Sequence, residues 1–291
     1  MVSLPSDLPY LATLSWSELY ELYWEEVHET ACRGFVDGVW LMVYIIIPTL
    51  LLEMWSFETA AALYKKNARL YKTAFALNFF NHFGLGAICY AFTITFFAKN
   101  VPHPVLASTD STDSTMLLLA SYYLTIAGQV LTLMIVHSLC FYTVHRIFHT
   151  YPKLYKWHKF HHLFNTHVPP ITANAVSPVE YLIGYLIPFL ISMTLFQHCE
   201  LALWIAIQVV SIFNIAMHTP KLERYYDKIL PSWMVGTGDH LEHHKRLNCH
   251  YAAPTLDLDY LVEVIGEEVH GLLHGTSVSD FKKKQDDEVS R

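Results

Sequence analysis

Charge is scarce in this chain. Only 15% of its 291 residues are Asp, Glu, Lys or Arg, against 53% hydrophobic and 14% aromatic, and the mean hydropathy is +0.27. A soluble domain carries about 25% charge, so these proportions point to a bilayer. A basic stripe interleaved with aromatics is missing and the formal charge is −7, which excludes nucleic acid as a partner. The five cysteines, Cys32, Cys89, Cys140, Cys199 and Cys249, form no CxxC pair, so neither a disulfide framework nor a thiolate metal site is expected. No basic stretch precedes a short apolar run at the N-terminus, so no cleavable signal peptide is expected and insertion is assigned to internal segments. Phosphate loops, dinucleotide fingerprints and Ser-His-Asp arrangements are also missing, which leaves hydrolase and nucleotide-dependent readings without support.

What is present is a set of long apolar stretches: 38–57, 73–98, 116–144 and 181–217, the last interrupted by Gln197-His198-Cys199-Glu200. Each of the first three is long enough to cross about 30 Å of hydrocarbon as a helix. The fourth is too long for one crossing and reads as a helical hairpin, giving five crossings, or three plus a re-entrant pair. With residues 1–37 on the outer side, only Arg33 and Lys99 of the 19 basic residues lie outside, and the other 17 lie inside, as cytoplasmic loops require. Residues 8–30 mix Tyr, Trp and Leu with Glu18, Glu21, Glu25 and Glu26, and Ser15-x-x-Glu18 spells a capping box, so an interfacial amphipathic helix is expected there. The expected fold is an all-α integral membrane bundle of four to five transmembrane helices with a cytosolic helical cap holding a di-metal site. Its parts are an amphipathic, non-cytosolic segment at 1–37, a membrane domain at 38–277 and a disordered charged tail at 278–291.

Eighteen histidines are present, and nine of them are patterned: His145-x-x-x-His149, His158-x-x-His161-His162, a lone His218, and His240-x-x-His243-His244. Residues i, i+3 and i+4 share one helix face, so each H-x-x-H-H box is expected to present three imidazoles to one point. All three boxes fall on the inner side of the topology. A zinc ion takes three or four protein ligands, so eight or nine histidines call for two metals. Imidazole suits Fe, Zn, Cu or Ni; a site at the mouth of a lipid-embedded bundle, where O2 and an apolar substrate meet, favours a redox metal.

These residues resemble the fatty acid hydroxylase and sterol desaturase superfamily over about 116–260. The resemblance is carried by His145-Arg-x-x-His149, Leu154-Tyr155-Lys156-x-His158-Lys-x-His161-His162, Ser177-Pro178-x-Glu180, His218, and His240-x-x-His243-His244 with Asn248-Cys249-x-Tyr251-Ala252. It implies two non-haem irons on these nine histidines, O2 as co-substrate, and electrons from NAD(P)H through cytochrome b5 or a similar carrier supplied by a separate protein. It implies a membrane lipid substrate, a sterol, isoprenoid or acyl chain that is hydroxylated, desaturated or epoxidised, and residence in the endoplasmic reticulum with the site on the cytosolic face. Three places depart from the family pattern: His137-Ser138 replaces the acid before the first box, Leu258-Asp259 replaces a Trp-Asp pair, and 164–175 is unlike the sterol enzymes. An alternative squalene epoxidase and a tailoring hydroxylase of secondary metabolism therefore stand beside the lipid hydroxylase. A membrane metal transporter is the reading from another class; transporters place polar ligands near the midplane, and these boxes sit at one face.

Among the remaining histidines, His137 is a candidate neighbour of the metal or a hydrogen-bonded intramembrane group, and His167 and His250 are candidates for orienting ligands. His82 is a candidate cavity or helix-contact residue. His28, His103, His198, His270 and His274 are expected to be solvated. Substrate choice is expected to lie in the apolar walls, chiefly in 164–175.

Overall fold

The computed structural model describes residues 15–99 and 112–274, and it is helical throughout, with two isolated β-bridges among the described residues. Among the described residues ten helices follow in order: α1 Trp16–Trp55, α2 Phe57–Lys66, α3 Ala68–Phe97, α4 Thr112–Thr150, α5 Pro152–His158, α6 Pro178–Phe196, α7 Glu200–Met217, α8 Glu223–Ile229, α9 Thr237–Arg246 and α10 Leu258–His274. Five of them are long and apolar enough to cross a membrane: most of α1 and α4, and all of α3, α6 and α7. The hairpin reading of 181–217 holds, with the turn at Gln197, whose φ of 51° is left-handed.

The Ser15–Glu18 capping box forms as expected: Ser15 accepts the Glu18 N–H and Glu18 accepts the Ser15 N–H at 2.8 Å. The helix it opens does not stop before the first span. It continues unbroken for 40 residues, about 60 Å and twice the hydrocarbon thickness, so part of its length lies beyond the apolar core. Residues 8–14 of the expected amphipathic segment, and the charged tail at 278–291, lie outside the described residues.

Packing between spans uses small residues, as lipid requires when the hydrophobic effect between helices is weak. Gly34 and Gly38, one turn apart on α1, let α3 approach so closely that a Cβ on Gly38 would stand 2.9 Å from the Ala87 carbonyl oxygen. Leu41, Met42 and Ile45 of α1 then join Tyr90 and Ile94 of α3 and Leu203, Ala206 and Val210 of α7 in the main core.

The bundle has two chemically different ends. At one, Arg33 bonds Glu200 at 3.1 and 3.2 Å, the Lys99 N–H reaches the His198 carbonyl at 2.9 Å, and Gln129 accepts the Cys199 N–H. His198 is buried there against the Ser192 hydroxyl at 3.1 Å, contrary to the solvated position expected, because the turn is sealed by these contacts. His28 is exposed as expected. His103 and the side chains of His270 and His274 lie outside what is described. At the other end, Lys221 ties α2 to the segment after α7 through Glu58 and the Trp55 carbonyl, and Lys66 bonds Thr166. The short helices α5, α8 and α9 cap this second end.

Segment 168–176 is buried under that cap, although it is loop and 3-10 turn. A buried loop must have its backbone polar groups satisfied, and polar side chains on the spans do it. Asn78 donates to the Ile171 carbonyl, Asn81 to those of Asn174 and Val176, Asn214 to that of Ala173, and Glu53 accepts the Ile171 N–H.

Candidate metal centre

All nine patterned histidines converge at the capped end, in two groups: His145, His149, His158, His162 and His243, and His161, His218, His240 and His244. Within each group the donor atoms lie within 4.8 Å of one another. Each H-x-x-H-H box is split between the groups and does not converge on one point as expected. The reason is helical rotation. Residues i and i+4 lie about 40° apart round the axis, whereas i+3 and i+4 lie about 100° apart. His145/His149, His158/His162 and His240/His244 are each i,i+4 pairs serving one group, and the i+3 residues His161 and His243 reach across to the other. The groups adjoin, with the His162 and His244 ring centres 5.1 Å apart.

Local structure holds each donor. α9 begins at Gly236-Thr237-Gly238, where Asp227 of α8 accepts the backbone N–H groups of Thr237 at 2.7 Å and Gly238 at 2.8 Å. Three ligand rings donate Nδ1–H to backbone carbonyls: His145 to Tyr251 at 2.8 Å, His218 to Asn214 at 2.7 Å and His243 to Cys249 at 2.6 Å. His158 donates Nδ1–H to Glu180 Oε1 at 2.5 Å, a pair that is almost fully buried. Such partners fix the tautomer and leave Nε2 as a bare donor to a metal.

The sequence reading named none of these partners as site residues. The signal for Glu180 was the Ser177-Pro178-x-Glu180 motif, an acid at the mouth of an apolar span. The carbonyls left no signal, since any residue supplies one. His167 and His250, expected as orienting groups, make no hydrogen bond to a ligand ring; carbonyls and Glu180 take those places. His82 donates Nδ1–H within its own helix to the Asn78 carbonyl at 2.8 Å.

The donor set fits metal ions on its own chemistry. His145 and His158 have both committed Nδ1–H elsewhere, yet their Nε2 atoms face each other at 2.9 Å. His162 and His158 Nε2 lie 2.7 Å apart, and His240 and His218 Nε2 3.0 Å apart. Lone pairs so placed repel unless a cation stands among them. His243 Nε2 is buried with no partner, as are Nδ1 of His161, His162, His240 and His244. Burial, reinforced by neighbouring rings, holds His161, His162, His240 and His244 far below the ordinary histidine range. Burial also brings His218 and His243 down to about 4. The imidazoles are thus neutral at physiological pH, the state a ligand requires.

The fatty acid hydroxylase family model matches residues 130–263, a stretch that contains all nine histidines and Glu180. This stretch belongs to the fatty acid hydroxylase family. No curated protein and no solved structure matches the chain. The first two spans, α1 and α3, lie outside the hydroxylase match, yet they supply Glu53, Asn78 and Asn81, which hold the loop beneath the metal centre.

Proposed function

We propose that the chain is a non-haem di-iron oxidoreductase that uses O2 to hydroxylate, desaturate or epoxidise a membrane lipid, a sterol, isoprenoid or acyl chain. The observation that carries this reading is the division of nine neutral histidines into two adjoining groups at the end of an apolar bundle. His145, His149, His158, His162 and His243 would hold one iron, and His161, His218, His240 and His244 the other. Two irons bound there would supply O2 activation for attack on an unactivated C–H bond or an alkene. The chain contributes the rest: carbonyls and Glu180 keep protons on the outward Nδ1 atoms, and the buried cap keeps bulk water from the donors. Electrons for this chemistry would come from a carrier such as cytochrome b5.

The excess of lysine and arginine at the capped end supports a cytosolic site, and the family resemblance together with that topology supports residence in the endoplasmic reticulum. An alternative squalene epoxidase or a tailoring hydroxylase would use the same centre and differ only in substrate. Purified protein is expected to hold two irons per chain and to consume O2 with lipid and reductant. His162→Ala is expected to abolish turnover while leaving the chain in the membrane. A single zinc with no O2 uptake overturns the proposal.

A further inference from the structure

Between the spans lies a narrow cavity of about 40 Å³. Its walls come from α1, α3, α4, α6 and α7 and include no Asp, Glu, Lys or Arg. Two walls carry π-helical turns, Phe80–Gly86 in α3 and Tyr181–Leu186 in α6, the irregularities that often mark functional positions in helices. The metal centre is one layer away. Asn214 lines the cavity with its side chain, while its carbonyl holds His218. Phe141 stands between the cavity residue His137 and the ligand His145, its ring centre 6.2 Å from the first and 5.2 Å from the second.

His137 is the anomaly of this cavity. It is fully buried and stacked among Phe141, Tyr185 and Phe189; the Tyr185 backbone is the one group placed to accept from a ring N–H, and the other ring nitrogen has no partner. A buried nitrogen without a partner is costly, and this one lines the cavity.

We propose that His137 selects the substrate, and that the substrate is an otherwise apolar lipid bearing a hydroxyl group, which His137 binds from within the cavity. The inference rests on the oxidoreductase reading above and adds the substrate class. A neutral imidazole has one N–H and one bare nitrogen; with the N–H turned to the Tyr185 backbone, the bare nitrogen is left to accept from an alcohol O–H. A hydrocarbon leaves that nitrogen unsatisfied. A carboxylate or phosphate finds no cation in the walls and is excluded by its desolvation. His137 lies eight residues before His145, about 12 Å along the helix, so the oxidised position is separated from the hydroxyl by about that span of the lipid skeleton.

The test is competition binding to purified holoprotein in nanodiscs. The probes are hexadecanol, hexadecane and hexadecanoate, with 5α-cholestan-3β-ol and 5α-cholestane as a pair of different shape. In at least one shape the alcohol is expected to bind about ten- to a hundredfold tighter than the hydrocarbon, and hexadecanoate to bind no better than hexadecane. His137→Leu is expected to erase that preference, and His137→Gln, which keeps a donor and an acceptor, to retain part of it. Equal affinity for alcohol and hydrocarbon in both shapes overturns the proposal, as does a preference that survives His137→Leu. Iron content and O2 uptake, measured on the same preparations, report separately on the oxidoreductase reading, so failure of one is distinguishable from failure of the other.

Discussion

Among the described residues, Glu180 is the only carboxylate bonded to a patterned histidine. Its Oε1 accepts His158 Nδ1–H, its own N–H is held by the Ser177 hydroxyl at 3.1 Å, and its Oε2 has no partner. A carboxylate in this position fixes the ring and makes the opposite nitrogen a better donor. Removing such an outer partner costs about 10- to 100-fold in metal affinity. Glu180→Ala is accordingly expected to lower affinity within that range, and Glu180→Gln, which keeps an acceptor but not the charge, to lower it less. Chelator competition on the purified variants measures both. Affinity unchanged in Glu180→Ala would show that the pair does not support the metal. Glu180 also answers the missing acid before the first box: the carboxylate of this centre comes from the mouth of α6, while Ser138, where the acid was expected, bonds the Thr255 hydroxyl at 2.7 Å.

At the scale of elements, α9 matters most, because one short helix serves both metal groups. Its start is clamped by Asp227, and the clamp needs glycine: a Cβ on Gly238 would stand 3.0 Å from Asp227 Oδ2. Loss of a cap of this kind costs about 0.5–2 kcal/mol. Asp227→Ala is expected to destabilise the protein by about that much and to reduce iron content most at the group holding His240 and His244; Asp227→Asn, which still accepts, is expected to do less. Unfolding and iron analysis of the two variants check it. The spacing of the boxes was legible in the sequence because i,i+4 periodicity survives in any helix. Their division between two groups was not, because it depends on how α4, α5 and α9 are turned toward one another, which tertiary packing decides. The same holds for 164–175. Its divergence marked it in the sequence; in the fold Asn174 lines the cavity and 168–175 are buried beneath the cap. Asn78 and Asn81, which the sequence grouped with His82 as candidates for lining a cavity or joining helices, pin this loop instead, together with Asn214, which left no such signal.

For the whole molecule, the two ends decide what can reach the centre. An odd number of spans places Arg33 and the α6–α7 turn on one side and every patterned histidine on the other, in agreement with the split of 17 basic residues against two read from the sequence. Under the proposed function, lipid would approach the cavity between the spans and electrons would arrive at the capped end, where α5, α8 and α9 are exposed in part. This separation is open to a direct test. Cys32 is exposed on the extension of α1, and Lys153 is exposed at the start of α5. In a background without the other cysteines, Lys153→Cys is expected to react with a membrane-impermeant maleimide added to sealed, cytosol-side-out microsomes. Cys32 alone is expected to react only after detergent opens them. Labelling of both from the same side would require an even number of crossings between them, and α1, α3 and α4 would then not all span the bilayer.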